Sequence, residues 1–260
     1  MDKYELFKKQ INELIDIDLN YYKEKQMKRR ITSLFTRNNF EDFDDYFQGL
    51  KTDKKLLSEF INYLTINVSE FYRNPLQWTT LEQEILPDMI KRINRVPKIW
   101  SSACSTGEEP YSIVMLLSRF FDLKDIKILA TDIDEEAINK AKLGIYSEKS
   151  LENLPQDFKK KYFVPIERSY KIVDDIKKCV EFKNIDLLKD SFPMNQDIII
   201  CRNVMIYFTE EAKQLLYKKF HDSLIKDGIL FVGSTEQIIL PERYNFKPVK
   251  TFFYKKASTI

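Results

Sequence analysis

Two short runs hold the residues most able to do chemistry. "WSSACSTGEEPYS", Trp100 to Ser112, leaves a strand pattern and enters a helix pattern, where many α/β proteins bind a nucleotide. It carries one glycine, Gly107, followed at once by Glu108 and Glu109. A phosphate-cradling turn needs free backbone N–H groups and no negative charge beside them, so this turn is ill suited to a pyrophosphate. Acids placed just before Pro110, a favoured first helical residue, either stabilise the helix N-terminus or face a cation. "ILATDIDEEAINKA" puts Asp132 at the end of a second strand pattern, 25 residues after Gly107. An acid there accepts both hydroxyls of an adenosine ribose, close to the ~20-residue interval of nucleotide-binding βαβ units. The same acid, or Asp134, also suits a helix cap, and residue type alone admits both readings. A ligand with adenosine at one end and positive charge at the other satisfies both runs. S-adenosylmethionine, with its sulfonium and α-ammonium, is such a ligand, and it favours methyl transfer over hydride transfer.

Two further runs complete the set. In "CRNVMIYF", Arg202 and Asn203 emerge from an apolar run ending at Cys201, with Tyr207 shortly after. A capped helix start explains Thr209 to Glu211 but leaves Arg202 and Asn203 unaccounted for. In "TINVSEFYRNP", Asn67, Ser69 and Arg73 form a polar stretch among aromatics. It reads either as a capped linker or as an arginine placed to clamp a carboxylate.

The elements that must position these residues fall into two regions. The first seventy or so residues read as helices: Leu6, Ile11, Leu14 and Ile15 recur at helical spacing, as do Met27, Ile31, Leu34 and Phe35. After Pro97 strand runs appear at "KIWSSA", "IKILATD", "QDIIICRN" and "GILFVGS", with helical patterns after the first three. That alternation predicts a mostly parallel sheet whose ligand lies beyond the carboxyl ends of the strands. Between them "SYKIVDDIKKCVEFKNIDLL" reads as an antiparallel hairpin turning at Asp174-Asp175. The expected organisation is a helical domain over 1–75 and a ligand-binding domain over 76–260, with a small antiparallel subdomain inserted at about 160–185.

Composition narrows the field. With 42 basic and 40 acidic residues the net charge is +2, which gives no global argument for nucleic acid. No run approaches the ~18 apolar residues of a membrane span, and the charged N-terminus does not resemble a signal peptide. Three cysteines without a CxxC motif argue against a zinc site or disulfide framework, and a cytoplasmic location follows as the expectation. His221 is the lone histidine, so chemistry here proceeds without an imidazole triad or rests on that residue.

Taken together, "NVSEFYR", "IWSSACSTGEEPYSI", "ATDIDEEAINKAK", "DIIICRNVMIYF" and "GILFVGSTEQ" resemble, in order, the motifs of the CheR family, with the helical start and inserted hairpin in agreement. Those enzymes are S-adenosylmethionine-dependent methyltransferases that esterify glutamates on chemotaxis receptors, and the chain looks most similar to the shorter Gram-positive members. The resemblance implies an α/β, Rossmann-like class I methyltransferase sheet with an N-terminal helical domain and a small inserted antiparallel β-subdomain. It implies S-adenosyl-L-methionine as cofactor, S-adenosyl-L-homocysteine as product, and no metal. Asn67, Ser69, Arg73, Glu109, Asp132, Asp186, Leu187, Arg202 and Asn203 match cofactor-contacting positions, and Arg73 and Tyr207 match the residues nearest methyl transfer. Ser69 stands where enteric members have threonine, and Asp186 where they have asparagine. Enteric members that dock a receptor's C-terminal peptide carry a glycine-bearing insertion, whereas this chain has no glycine between Gly144 and Gly228, so that tether is not expected.

The chemistry is consistent with a histidine-poor chain. A glutamate of ordinary pKa ~4.3 is already ionised near neutrality, so alignment and desolvation replace a general base. Residues Tyr21 to Asn38 hold six basic side chains against one acid, Glu24, with Lys25, Lys28 and Arg29 close together on a helix. That face is either simply solvated or meets the acidic, helical methylation region of a cytoplasmic receptor domain. The expected protein is a monomer that neither enters the membrane nor binds nucleic acid. A nucleic-acid methyltransferase lacks support, because no NPPY-type motif appears, and a non-catalytic sensor of the cofactor is disfavoured by the intact pair Arg73 and Tyr207.

Overall fold

The computed structural model describes residues 2–257, so the outer ends of the two expected domains, residue 1 and residues 258–260, lie outside the described residues. The chain divides into two compact units. One runs to Asn67 and takes in Met205–Leu215; the other comprises Val68–Val204 and the chain from Leu216 onward.

The first unit holds α1 (Lys3–Ile15), α2 (Glu24–Arg37), α3 (Phe43–Thr52) and α4 (Lys54–Thr65). Asp2, Asp42 and Asp53 begin three of these helices, each turning its carboxylate onto N–H groups of the first turn. Their apolar stripes meet in an aromatic core, where Phe7 packs against Phe43 at 5.2 Å and Phe60 at 6.0 Å. Met27, Ile31, Leu34 and Phe35 form the buried face of α2, as their spacing requires. On α1 the bulkier Tyr4 and Phe7 take the inward face with Ile11, which leaves Leu6 39% exposed despite its helical spacing. The turn Met205–Tyr207 belongs to this unit and is sewn to it by backbone: Lys23 N–H donates to the Tyr207 carbonyl at 2.9 Å, and Thr209 N–H to the Tyr21 carbonyl at 2.8 Å.

In the second unit α5 (Pro75–Thr80) continues through a π-helical turn, Leu81–Ile85, into α6 (Leu86–Ile93). The chain then alternates through β1 (Ile99–Ser101), α7 (Glu108–Leu117), β2 (Ile128–Asp132) and α8 (Glu135–Leu143). A departure follows: β3 (Ile145–Ser147), α9 (Gln156–Tyr162), β4 (Phe163–Ile166) and β5 (Ser169–Ile172). The short helix α10 (Asp174–Lys177) leads to β6 (Val180–Asn184) and then β7 (Gln196–Cys201). After α11 (Glu210–Ser223) come β8 (Leu224–Val232), β9 (Phe246–Lys250) and β10 (Phe253–Lys256). The large sheet has the order β6-β2-β1-β7-β8-β10-β9; its first five strands are parallel, and β10 runs antiparallel to both neighbours. The four runs read as strands in the sequence become β1, β2, β7 and β8. The strand order reverses between β1 and β7, which places the ligand crevice of such a sheet outside their carboxyl ends.

The expected hairpin at Asp174-Asp175 does not form. β5 pairs antiparallel with β3 and β4, whereas β6 lies parallel to β2 in the large sheet. The two aspartates begin α10, because acids suit a helix N-terminus as well as they suit a turn. Phe182 then lies against Tyr111 at 5.9 Å, so the alternation of Val180 and Phe182 records packing beneath α7 rather than a hairpin face. The three antiparallel strands fall between Ile145 and Ile172.

α7 is the mechanical centre of this unit. Pro110 through Leu117 are buried without interruption, the pattern of a helix enclosed on all sides. Each fully buried Ile, Leu or Met contributes about 1.5–3 kcal/mol, enough together to hold two carboxylates at the start of the helix in a poorly hydrated place. The sheet has its own buried acid at the opposite end, near the start of β7. Asp197, with a fully buried side chain, accepts two hydrogen bonds from Arg95, at 2.6 and 2.9 Å, and one from the Lys98 N–H at 2.7 Å. Arg95→Ala leaves that carboxylate without its cation, and stability measured by chemical denaturation is expected to fall by about 2–4 kcal/mol.

Candidate active site

The loop after β1 forms one wall of the crevice. Ser102 N–H prolongs the β1–β7 ladder by donating to the Ile200 carbonyl, and Cys104 N–H donates to the Thr131 carbonyl, both at 2.9 Å. Ser105 and Gly107 take left-handed backbone, φ 47° and 93°. At Gly107 an added Cβ would lie 2.8 Å from the Ala141 Cβ and 3.1 Å from the Tyr146 hydroxyl, so only glycine fits where this loop passes α8 and β3. Asp132, at the tip of β2, closes the loop from the side. One carboxylate oxygen accepts from Ser105 N–H at 2.7 Å, and the other from Asp134 N–H at 3.0 Å. Burial pushes the Asp132 carboxyl up to about 6, against the pull of these N–H groups. Asp134 takes the capping role, accepting from the N–H groups of Glu136 and Ala137. The alternatives left open by residue type thus divide between two aspartates.

The paired glutamates have separate duties. Glu108 is buried, accepts from the Thr106 hydroxyl at 2.7 Å and is hydrogen-bonded by Ser69. Burial raises its carboxyl, and those two hydroxyls oppose the rise. Glu109 accepts from the Ser101 hydroxyl at 2.8 Å and lies 3.4 Å from the Arg202 guanidinium. Burial raises Glu109 as well, with Arg202 as the main opposing influence.

Arg202, directly after β7, is the hub, with only 2% of its side chain exposed. One terminal nitrogen donates to the Arg73 carbonyl at 2.7 Å, the Gln77 side-chain carbonyl at 2.8 Å and the Asn74 side-chain carbonyl at 3.2 Å. The other reaches Glu109, and the guanidinium lies over Phe231 at 4.9 Å. The segment it grips is bent by force: Tyr72 and Asn74, on either side of Arg73, have φ of 54° and 60°. Such positions cost energy and persist only where their surroundings over-determine them, as Arg202 does here. The Arg73 side chain makes one bond, to the Val68 carbonyl at 3.0 Å, and no ion pair among the described residues.

The remaining expected residues are placed as follows. Asp186 and Leu187 sit in the turn after β6, where the Asp186 carboxylate accepts from Leu188 N–H at 2.8 Å. Lys219 pins that turn by donating to the carbonyls of Leu187 and Asp190, each at 2.7 Å. Asn203 is left-handed, φ 61°, and its N–H donates to Glu236 at 2.5 Å. Ser69, Arg73, Glu109, Asp132, Asp186, Leu187, Arg202 and Asn203 all belong to the second unit, on the loops that lead into α5 and α7 or leave β2, β6 and β7. Asn67, Tyr207, Lys25, Lys28 and Arg29 belong to the first unit. There Asn67 donates to the Thr65 hydroxyl at 3.1 Å, and Tyr207 closes the turn already described. Lys28 pairs with Asp2 at 3.1 Å and lies over the Tyr4 ring, whereas Lys25 and Arg29 are exposed and form no ion pair among the described residues. His221 neighbours Asp222 and packs edge-on against Phe246.

Glu236, Gln77 and Asn74 are the residues that sequence reasoning missed. Only the exits of β1, β2 and β7 draw attention by their residue types, yet another parallel strand, β8, exits into "GSTE" and carries an acid of its own. Gln77 has no signal in one dimension, since only the fold brings it to Arg202.

Residues 67–253 match the family described as CheR methyltransferase, SAM binding domain, and residues 2–65 match its all-alpha domain. The chain belongs to the CheR methyltransferase family. It is 39% identical over 254 residues to a chemotaxis protein methyltransferase of Listeria innocua, covering 98% of this chain and 97% of that one. The counterpart from Listeria monocytogenes is 40% identical with the same coverage, and that from Borreliella burgdorferi 36% identical over 235 residues, 85% of this chain and 83% of the relative. The large sheet is accordingly the Rossmann-like class I methyltransferase sheet, and S-adenosylmethionine is the cofactor.

The crevice suits that cofactor chemically. Its helix N-terminus is occupied by carboxylates rather than left open for phosphate, and Gly107 lets the loop pass close against α8 and β3. Asp132 takes only backbone N–H groups as its donors, and a carboxylate's remaining lone pairs suit hydroxyl donors. Gly107→Ala combines a left-handed alanine with a contact that cannot be relieved. It is expected to lower stability by about 1–3 kcal/mol and to abolish S-adenosylhomocysteine binding in calorimetry; undiminished binding would show that the loop has room to spare.

Proposed function

We propose that this chain methylates glutamate side chains in the helical methylation region of chemotaxis receptors, as a cytoplasmic enzyme, leaving glutamate methyl esters and S-adenosylhomocysteine. The observation that carries this reading is the pairing of an acidic cofactor crevice with a cationic side chain kept out of ion pairs. Glu109 and Asp132 suit a ligand that is cationic at one end and carries hydroxyls at the other. Arg73 is held between two strained residues with its charge uncommitted, as a group that recognises a carboxylate must be. The matched relatives bear the name chemotaxis protein methyltransferase, which supports the same class of acceptor.

The cofactor supplies an electrophilic methyl group on a sulfonium. Asp132 would accept from the ribose hydroxyls, and Asp186 and Leu187 would help to hold the adenosine. Ser69 and Asn203 would complete the polar lining of this unit, and by the family resemblance Asn67 is also a cofactor-contacting position. Glu109 balances the cationic end and is itself oriented by Ser101 and Arg202. Arg202 thereby fixes both the carboxylate that meets the cofactor and the turn that carries Arg73. Arg73 would align the acceptor carboxylate, and by the family resemblance Tyr207 is the residue that would hydrogen-bond a carboxylate during transfer. No residue has to remove a proton, because the acceptor is already ionised at neutral pH. Exclusion of water then strengthens the nucleophile. The buried cysteines take no part: burial raises the thiols of Cys104 and Cys201 well above their ordinary range.

Incubating the full chain with receptor-containing membranes and labelled cofactor, then releasing methanol with base, tests the reaction. Base-labile label on membranes is the expected result, and label on RNA or DNA, or none, overturns it. In the same assay Lys25→Glu with Arg29→Glu should slow receptor methylation about tenfold while the S-adenosylhomocysteine Kd stays at the wild-type value. An unchanged methylation rate removes α2 from the docking surface. Glu109→Gln should weaken S-adenosylhomocysteine binding about tenfold or more, and Glu108→Gln, whose carboxylate serves Thr106 and Ser69, by less than threefold. Equal losses would mean that the two acids share one role.

A further inference from the structure

We propose that Glu236 is a positioning residue of the cofactor crevice, acting through Asn203 by clamping the exit of β7 to the exit of β8. This inference rests on the reading of Asn203 as part of the cofactor site. The exits of β1, β2, β6 and β7 supply the residues already assigned, and the exit of β8, Gly233 to Glu236, is absorbed by none of that chemistry. Glu236 is 6% exposed although it lies in a loop. One of its carboxylate oxygens accepts from two backbone N–H groups at once, Asn203 at 2.5 Å and Gly233 at 2.9 Å. A buried carboxylate in a loop is costly unless such donors meet it, so the arrangement is built rather than incidental.

The geometry shows what the clamp does. Asn203 holds a left-handed backbone, φ 61°, a conformation that asparagine tolerates but does not prefer. The bond from its N–H to Glu236 keeps it there, directly after Arg202. Gly233 is glycine for the same reason: an added Cβ would strike the Glu236 carboxylate and lie 2.9 Å from the Asn203 nitrogen and 3.1 Å from its side-chain amide. Asn203, Gly233 and Glu236 therefore form one interlocked cluster at the lip where the strand order reverses. Burial dominates the titration of Glu109 and Arg202, yet the Glu236 charge also acts on both, so the clamp and the Arg202 hub share one electrostatic neighbourhood. Releasing the clamp frees the Asn203 peptide to relax, and the side chain that lines the crevice moves with it.

The test uses the full-length protein, S-adenosylhomocysteine as the probe, and calorimetry well below each variant's melting temperature. Glu236→Ala should raise the Kd about tenfold or more, and Glu236→Gln, which keeps a carbonyl oxygen for both N–H groups, should recover most of that loss. Gly233→Ala attacks the cluster from the other side with Glu236 intact and should weaken binding in the same sense, so a poorly folding Glu236→Ala does not end the test. Asn203→Gly removes the side chain while keeping the backbone conformation accessible. If Glu236 acts through Asn203, Glu236→Ala costs less than threefold in the Asn203→Gly background. Folded Glu236→Ala or Gly233→Ala variants that bind within twofold of wild type, or a full multiplication of losses in the double variant, would overturn the proposal. Failure of the wild-type chain to bind the probe would overturn the cofactor site itself, a result distinct from any variant's behaviour.

Discussion

The Arg202 guanidinium holds the catalytic unit's chemistry in one piece. It is nearly inaccessible to solvent, and stripping water from an arginine is tolerable only where several acceptors replace it. Glu109, Gln77, Asn74 and the Arg73 carbonyl do so. These acceptors come from two stretches far apart in the chain, the turn into α5 with its first residues and the start of α7, and Arg202 joins them from the end of β7. Loss of any one leaves part of a buried cation unsatisfied. The strained turn at Tyr72–Asn74 is one consequence, and the immobility of Glu109 is another.

Around this hub the crevice is made of loops braced by backbone rather than by side-chain contacts. Asp132 receives the Ser105 and Asp134 N–H groups, Glu236 those of Asn203 and Gly233, and Lys219 reaches two carbonyls behind Leu187. Each brace links the end of a strand to a neighbouring loop. A binding site formed at the ends of parallel strands needs such ties, because ladder hydrogen bonding stops where the ligand begins. The charge balance has the same logic. Acids are concentrated at these loops, and burial raises the carboxyls of Glu108, Glu109 and Asp132 against the pull of their hydrogen-bond donors.

Much of this was legible in one dimension. Strand patterns at "KIWSSA", "IKILATD", "QDIIICRN" and "GILFVGS" became the parallel core, since short apolar runs between helical patterns have few other destinations. The single glycine followed by two acids excluded a pyrophosphate because charge and backbone geometry are local properties. The hairpin reading failed for the converse reason. Alternation in Val180 and Phe182 is equally compatible with an antiparallel hairpin and with a parallel edge strand, and partner choice is not a local property.

Residue types and spacing alone therefore determined the helical start, the α/β class and the phosphate-free character of the ligand. Tertiary structure decided which of two neighbouring acids serves the chain and which serves the site. Asp134 caps a helix while Asp132 faces the crevice; Glu108 braces its own loop while Glu109 meets Arg202. It also brought Gln77 to Arg202 and Glu236 to Asn203. The physical reason is the same in each case. A carboxylate's role depends on which N–H, hydroxyl or guanidinium lies within three ångströms or so of it, and those neighbours come from strand exits and loops that only the folded sheet brings together.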